Sequence, residues 1–469
     1  MAAKPGQKRV IPINSLYVAE PKIYPKSING RFQRWRWLFV WLTQAVFYGF
    51  CWLPWNGRQA VLFDLDTRRF DIFGLSLRPQ DTIYLAILLI LSALALFLFT
   101  AVAGRLWCGY TCPQTVYTAI FLWIEARIEG DRSQRMKLDA APWSIDKLRR
   151  KTAKHFTWIA FSLWTGLTFV GYFTPIRPLT EALANASVSA WEAFWILFYA
   201  AATYGNAGFF REQMCKYVCP YARFQFVMFD ADTLIITYDE ARGEPRGRIN
   251  KTQPSAEAPR GDCIDCGICV QVCPTGIDIR DGLQAECIAC AACIDACDQV
   301  MDKIERPRGL IRYATENALV RKLGRQDIVR RALRPRTAIY AAIFTALMLG
   351  TSWSLAHRAD VQLAVQRDRG GLYRETEDGI ENSYQITIAN TAESARTLTL
   401  SVEGLNAARI VGRTRFALPP GGTAVESVAV RINGEQIGSL HGAQPIRFRL
   451  QTLDGTTESI EQKASLWLP

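Results

Sequence analysis

All thirteen cysteines of this chain lie between Cys51 and Cys297, and eight of them crowd into residues 263–297. Residues 263–274 read CIDCGICVQVCP, and residues 287–297 read CIACAACIDAC. The spacing Cys-x2-Cys-x2-Cys-x3-Cys therefore occurs twice, as in bacterial ferredoxins. Three closely spaced thiolates wrap three corners of an iron–sulfur cubane, and the fourth cysteine of each run ligates the other cluster. Cys263, Cys266, Cys269 and Cys297 are expected to hold one 4Fe–4S cluster. Cys287, Cys290, Cys293 and Cys273 are expected to hold the second. Gly267 and Gly276 permit tight turns, and the small Ala289, Ala291 and Ala292 let backbone approach a cluster. Structural zinc uses cysteine pairs, and these two runs over-supply one tetrahedral site. Neighbouring clusters carry single electrons, and nothing in the block indicates substrate chemistry.

A second constellation lies upstream. LWCGYTCPQ (106–114) and MCKYVCPYA (214–222) each contain Cys-x3-Cys-Pro, giving Cys108 and Cys112 in one and Cys215 and Cys219 in the other. A residue before proline is pushed out of the α region, so Cys112 and Cys219 should mark breaks. Pro113 should open a new helix over 113–128, lying near the surface. A cysteine at a helix start tends toward a lowered pKa. One such pair in a helix reads as packing. Two copies in matching positions point instead to soft-metal binding or redox cycling, and both readings stay open. Four converging thiols would suit Cu(I), while Met214 and the lone Cys51 read as packing residues.

These thiols need elements to position them. Five segments are apolar enough to cross a bilayer: roughly 35–55, 82–103, 155–176, 190–210 and 338–355. The second carries no charge between Asp81 and Arg105, and the last is the shortest. The first starts too late for a typical signal peptide and is expected to be retained. Loop 105–154 carries ten Lys/Arg and residues 1–34 carry seven, while loop 177–189 carries only Arg177. Positive-inside bias then puts the N-terminal arm (1–34), loop 105–154 and residues 211–337 in the cytoplasm, with 356–469 outside. Both cysteine pairs fall on the side of the ferredoxin module. Trp35, Trp37, Trp52, Trp55 and Trp107 suit interfacial anchoring.

The net charge of +12 flanks apolar runs, so it argues for a membrane surface and against nucleic acid. His155, His357 and His441 are the only histidines and lie far apart, which disfavours paired-histidine haem. Residues 239–262 are polar, broken by prolines and glycines, and read as a linker into a module at about 255–305. The basic stretch 303–336 suits both a positive-inside flank and an anionic lipid surface. Residues 356–469 alternate like half-buried strands, about seven of them, as in an immunoglobulin-like sandwich. That domain shows no catalytic constellation and reads as an interaction module.

The expected architecture is thus multidomain. Residues 35–210 form a four-helix membrane domain and 338–355 a fifth transmembrane helix. An inserted α+β ferredoxin-like dicluster module and a C-terminal all-β immunoglobulin-like sandwich (356–469) complete it.

Several stretches together resemble the FixG/CcoG/RdxA family, accessory proteins in maturation of cbb3-type cytochrome c oxidase. They are WNGRQAVLFDLDTRRFDIFGL (55–75), PQDTIYL (79–85), AGRLWCGYTCPQTV (103–116), the double ferredoxin run, RPRGLIRYATEN (306–317) and the C-terminal sandwich. The resemblance implies an inner-membrane iron–sulfur protein that reduces Cu(II) to Cu(I) for the oxidase. It also implies partners in the oxidase-assembly machinery or a copper chaperone or transporter, with a cytoplasmic electron donor. Cys108, Cys112, Cys215 and Cys219 match the family's motifs and are the expected copper-handling residues. This chain has Asp298 where a second proline would follow Cys297, which leaves the ligand set intact. The rival reading is a quinol-linked or ferredoxin-like electron-transfer subunit without copper chemistry. A non-redox scaffold is the third.

Overall fold

The computed structural model describes residues 22–247, 261–321, 325–368, 370–377, 379–392, 394–405, 408–433, 441–453 and 459–469. Most of the expected arm and the middle of the expected linker lie outside them. The chain forms two compact units. One comprises residues 1–48, 92–170 and 188–344, the other 49–91, 171–187 and 345–469.

In the first unit, residues 22–30 run along the ferredoxin module, where Lys26 N–H donates to Gln271 O at 2.8 Å. Helix Arg31–Gly49 follows. Asp295 accepts from the backbone N–H groups of Phe32 (3.2 Å) and Gln33 (2.8 Å), which satisfies donors that a helix start leaves open. Helix Thr82–Ala103 ends at Gly104, whose φ of +55° lets Leu234 O pass where a Cβ would stand 2.8 Å away. The short helix Leu106–Tyr110 comes next, then a break at Cys112, then helix Pro113–Ile128.

That last helix is not the surface element expected. Val116, Ile120, Phe121 and Ile124 bury one face with Trp158 and Ala207, because the apolar stripe finds helix Ile145–Val170 and residues 206–210 to cover it. Helix Ile145–Val170 crosses helix Ala190–Gly205 at Gly166, where a Cβ would lie 2.3 Å from Ile196 O. Only a glycine allows that approach.

The five apolar segments are all helical in part. Thr82–Ala103 and Pro335–Ala356 are long and apolar enough to cross a membrane, with hydropathies of 2.8 and 1.5. Arg31–Gly49 opens on three arginines, Ile145–Val170 on a charged turn, and Ala190–Gly205 has 16 residues. Charge or shortness keeps these three below the same standard.

In the second unit, Val61–Asp64, Arg69–Ile72 and Leu75–Leu77 form a small antiparallel sheet. It is joined to residues 171–187: Phe63 N–H donates to Tyr172 O at 2.7 Å, and Gln59 Oε1 accepts from Ile176 N–H at 2.9 Å. It is joined to the C-terminal domain as well. Arg78 donates to Gly421 O at 2.6 Å, and Asp81 accepts from Arg358 (2.5 Å) and Gln362 (2.9 Å).

The C-terminal domain is a two-sheet antiparallel sandwich. One sheet runs Arg409–Val411, Thr423–Ile432, Gly379–Asn390, Val361–Arg367, with Arg374–Thr376 pairing off Gly379–Asn390. The other runs Arg415–Leu418, Arg396–Glu403, Gly442–Thr452, Ser459–Leu468. Among the described residues nine strands stand where about seven were expected, because the short strands Arg374–Thr376 and Arg409–Val411 carry little alternation of their own. Inward residues such as Tyr384, Ile386, Phe416, Val430 and Phe448 fill the space between the sheets. The Tyr384 hydroxyl donates to Ser465 O at 2.8 Å, so its polar end is satisfied within that core.

Candidate iron–sulfur and thiol site

Each ferredoxin run has the same local design. Gly267 (φ +66°) and Ala291 (φ +61°) stand at equivalent positions and open the short helix Ile268–Gln271 and the longer helix Ala292–Lys303. Left-handed backbone is free for glycine and strained for alanine, so tertiary packing holds Ala291, which is fully buried. The second run is braced from outside. Strand Ile311–Ala314 pairs with Ile235–Tyr238 and carries Tyr313, whose hydroxyl donates to Ala289 O at 2.7 Å.

Two small voids lie in this module. Cys263, Cys266, Cys269 and Cys297 line one, among Ile264, Ile268, Val300 and Leu310. Cys273, Cys287, Cys290 and Cys293 line the other, with Cys269 at its rim. The chain's topology thus brings the last cysteine of each run to the first three of the other. Among the described residues no three Cys, His, Asp or Glu side chains converge on a point that a single ion would occupy. Four thiols around each apolar-walled void are the donor set a cubane takes, one thiolate per iron. Burial pushes the Cys287 and Cys297 thiols up to about 12, so metal binding there must release protons.

The Cys-x3-Cys-Pro motifs also share a design. Cys112 (ψ 126°) and Cys219 (ψ 111°) leave the helical region, each followed by a proline that starts a helix, Pro113–Ile128 and Pro220–Val227. The turn Met214–Val218 is π-helical. The expected lowering of the Cys112 pKa does not occur. Burial raises it, and that desolvation outweighs the backbone N–H groups of Thr115 and Gln114 that favour the thiolate. Burial likewise raises Cys108 to about 12 and Cys215 to about 11, and the neighbouring thiols add to both. Cys108, Cys112, Cys215 and Cys219 lie within one another's electrostatic reach.

The two constellations adjoin. Cys108 and Cys215 pack against the core formed by Val272, Ile288, Cys290, Ala292 and Ala296. A Cβ on Gly109 would lie 2.8 Å from Ile288 O and 2.9 Å from Cys290 Cα, so the first motif touches the second cluster-binding loop backbone to backbone. The Cys108 thiol donates to Gln225 Oε1 at 3.2 Å, and Gln225 Nε2 donates to Thr100 Oγ1 at 3.3 Å. Arg105 Nη1 donates to the carbonyls of Ala285 and Cys287.

Sequence reasoning passed over Gly109, Gln225, Arg105 and Tyr313. Their signal was position alone: each sits inside or beside a quoted motif. It also passed over Glu125, whose Oε2 accepts from Arg135 and Arg211 at 3.1 Å each. His155 meets the Tyr204 hydroxyl at 2.9 Å and Cys51 is buried, so neither joins the thiol site.

Fold and site define a dicluster iron–sulfur protein that carries an immunoglobulin-like domain. Residues 210–316 match a 4Fe-4S dicluster domain, residues 85–129 a 4Fe-4S binding domain, and residues 351–469 the "IG-like fold at C-terminal of FixG". Nitrogen fixation protein FixG of Rhizobium meliloti is 41% identical over 85% of this chain and 82% of that protein. Protein RdxB of Cereibacter sphaeroides is 40% identical, covering 83% of each chain. Protein RdxA of the same organism is 39% identical over 90% of this chain and 91% of that protein. The chain belongs to the FixG/RdxA/RdxB family.

Proposed function

We propose that this protein is a membrane-bound electron-transfer protein that reduces Cu(II) to Cu(I) at Cys108, Cys112, Cys215 and Cys219 for assembly of a cbb3-type cytochrome c oxidase. The observation that carries it is the seating of Cys108 and Cys215 on the Ile288–Cys290 loop. Cys263, Cys266, Cys269 and Cys297 would hold one 4Fe–4S cluster, and Cys273, Cys287, Cys290 and Cys293 the other. When bound, the clusters supply one-electron transfer. Cu(II), the substrate, takes one electron that originates in a cytoplasmic donor and becomes Cu(I). The four soft thiol ligands favour the reduced ion. Gln225 orients Cys108 through the bond its Oε1 accepts from the thiol.

The membrane reading draws on the path of the chain. It passes between the two compact units five times, once in or beside each of the five apolar segments. Residues 56–81, 171–187 and the sandwich associate in one unit, and the cysteine pairs and ferredoxin module in the other. This grouping supports an inner-membrane protein with the module in the cytoplasm and the sandwich in the periplasm, where oxidase-assembly machinery or a copper chaperone or transporter would meet it.

The test uses full-length protein purified anaerobically. Cys108→Ser combined with Cys215→Ser is expected to abolish Cu(II) reduction while visible and electron paramagnetic resonance (EPR) spectra of both clusters persist. Undiminished reduction in that variant would move the copper chemistry elsewhere.

One observation favours a second reading, quinol-linked electron transfer. A groove of about 1400 Å³ is lined by Trp35, Phe39, Phe99, Trp107, Tyr110 and Tyr313 alongside four arginines and three aspartates. Its aromatic walls suit a quinone ring. This reading requires that a short-chain quinol reduce the clusters without copper, and clusters left oxidised would end it.

A further inference from the structure

Two buried arginines flank the second thiol set, and both carry buried N–H groups without partners. Arg105 is 3% exposed. Its Nη1 is used by Ala285 and Cys287, but Nε and Nη2 make no hydrogen bond among the described residues. Its leading electrostatic partners are all thiols: Cys108, Cys287, Cys215 and Cys219. Arg36 is 9% exposed, its Nε makes no hydrogen bond among the described residues, and it lines a small pocket with Ile288 of the second cysteine loop and Cys215. Asp295, on the helix that carries Cys293 and Cys297, is engaged by the N–H groups of Phe32 and Gln33.

The first thiol set has the opposite surroundings. Arg280 lines its void beside Cys263, Cys266, Cys269 and Cys297. That guanidinium is matched by two carboxylates, through Nη2 to Asp278 Oδ2 at 2.6 Å and Nη1 to Asp265 Oδ1 at 2.5 Å. Asp278 also acts on Cys269 and Asp298 on Cys297. Cys266 is exposed to solvent, which screens any charge beside it.

Adding an electron adds negative charge, which a nearby unmatched cation favours and a nearby carboxylate disfavours. Burial opposes added charge at the second site, but it also leaves two guanidinium charges unscreened there. We propose that Arg105 and Arg36 hold the second cluster at the higher reduction potential of the two. The downhill direction then runs toward the Cys108 and Cys215 side. Arg105 and Arg36 are positioning residues that act through local charge. The proposal rests on the two-cluster reading above.

The experiment is a potentiometric titration of the full-length protein in detergent, followed by EPR and paired with iron analysis. Wild type should show two waves. Arg105→Gln should lower the higher wave by about tenfold in its reduction equilibrium, 59 mV for a one-electron couple, and leave the lower wave in place. Arg105→Lys keeps the charge and should leave both waves in place. Arg36→Gln removes a charge beside Ile288 of the same cysteine loop and should also lower the higher wave, which keeps the test open if Arg105→Gln fails to accumulate. Movement of the lower wave, or of neither wave in a variant with full iron, would overturn the proposal. So would an equal fall in Arg105→Lys, which would assign the effect to the carbonyl contacts. Wild-type iron for fewer than two clusters would instead sink the two-cluster reading, whatever the variants do.

Discussion

Gly109 shows how much one residue can decide. It stands between the cysteines of the first Cys-x3-Cys-Pro motif, and its missing side chain leaves room for three atoms of the second cluster loop. A Cβ there would meet Ile288 O, Ala289 O and Cys290 Cα at 2.8–2.9 Å, all of them backbone. Backbone cannot rotate aside as a side chain can, so Gly109→Val must displace the loop. The expected outcome is loss of the second cluster's iron with the first cluster retained, read as about half the wild-type iron per chain. Full iron in that variant would show that the close approach is dispensable. Ala291 makes the complementary point. It adopts the left-handed conformation that Gly267 adopts in the first run, which nothing in its residue type predicts. Packing of neighbours around a fully buried methyl selects it.

At the scale of elements, helix Pro113–Ile128 is the lesson. Its apolar residues were legible, but their burial was not, because the partners come from residues 145–170 and 206–210. The same holds for Glu125 on that helix. It binds Arg135 and Arg211 directly, and Lys154 stands 3.7 Å away. One carboxylate thus ties helix Arg132–Ala140, helix Ile145–Val170 and the chain just before the second thiol motif. Removing one member of a buried ion network strands the remaining charges, at about 3–5 kcal/mol. Glu125→Gln should lower the melting temperature of the purified protein and loosen Cys215 and Cys219, read as faster thiol alkylation. An unchanged melting curve would show that the remaining groups rearrange at no cost. The sandwich was easier to read, since period-two alternation reports directly on a sheet with one buried face. The short strands Arg374–Thr376 and Arg409–Val411 carry too little alternation to be read that way.

For the whole molecule, the path of the chain carries the most information. Positive-inside charge bias is the basis on which sides are proposed for the loops. Protease added to intact spheroplasts should therefore remove residues 356–469 and spare the ferredoxin module. In protein stripped of its clusters, an impermeant thiol reagent should reach Cys266 only after the cytoplasmic membrane is opened. A sandwich protected in spheroplasts would overturn this orientation.

The sequence by itself determined the chemistry of the ligands and the local geometry around them. Cysteine spacing specifies a cubane because three thiols on one loop span its corners. Proline after Cys112 and Cys219 specifies a break because it restricts the residue before it. Both effects act within a few residues and need no fold. Only the tertiary structure decided that the two thiol motifs meet, that they seat on the Ile288–Cys290 loop, and that Arg105 reaches Cys287 across 182 residues of chain. Those contacts arise from packing and from unmatched buried charge, which no local pattern encodes. They bring two cysteine motifs, far apart in the chain, against one cluster-binding loop.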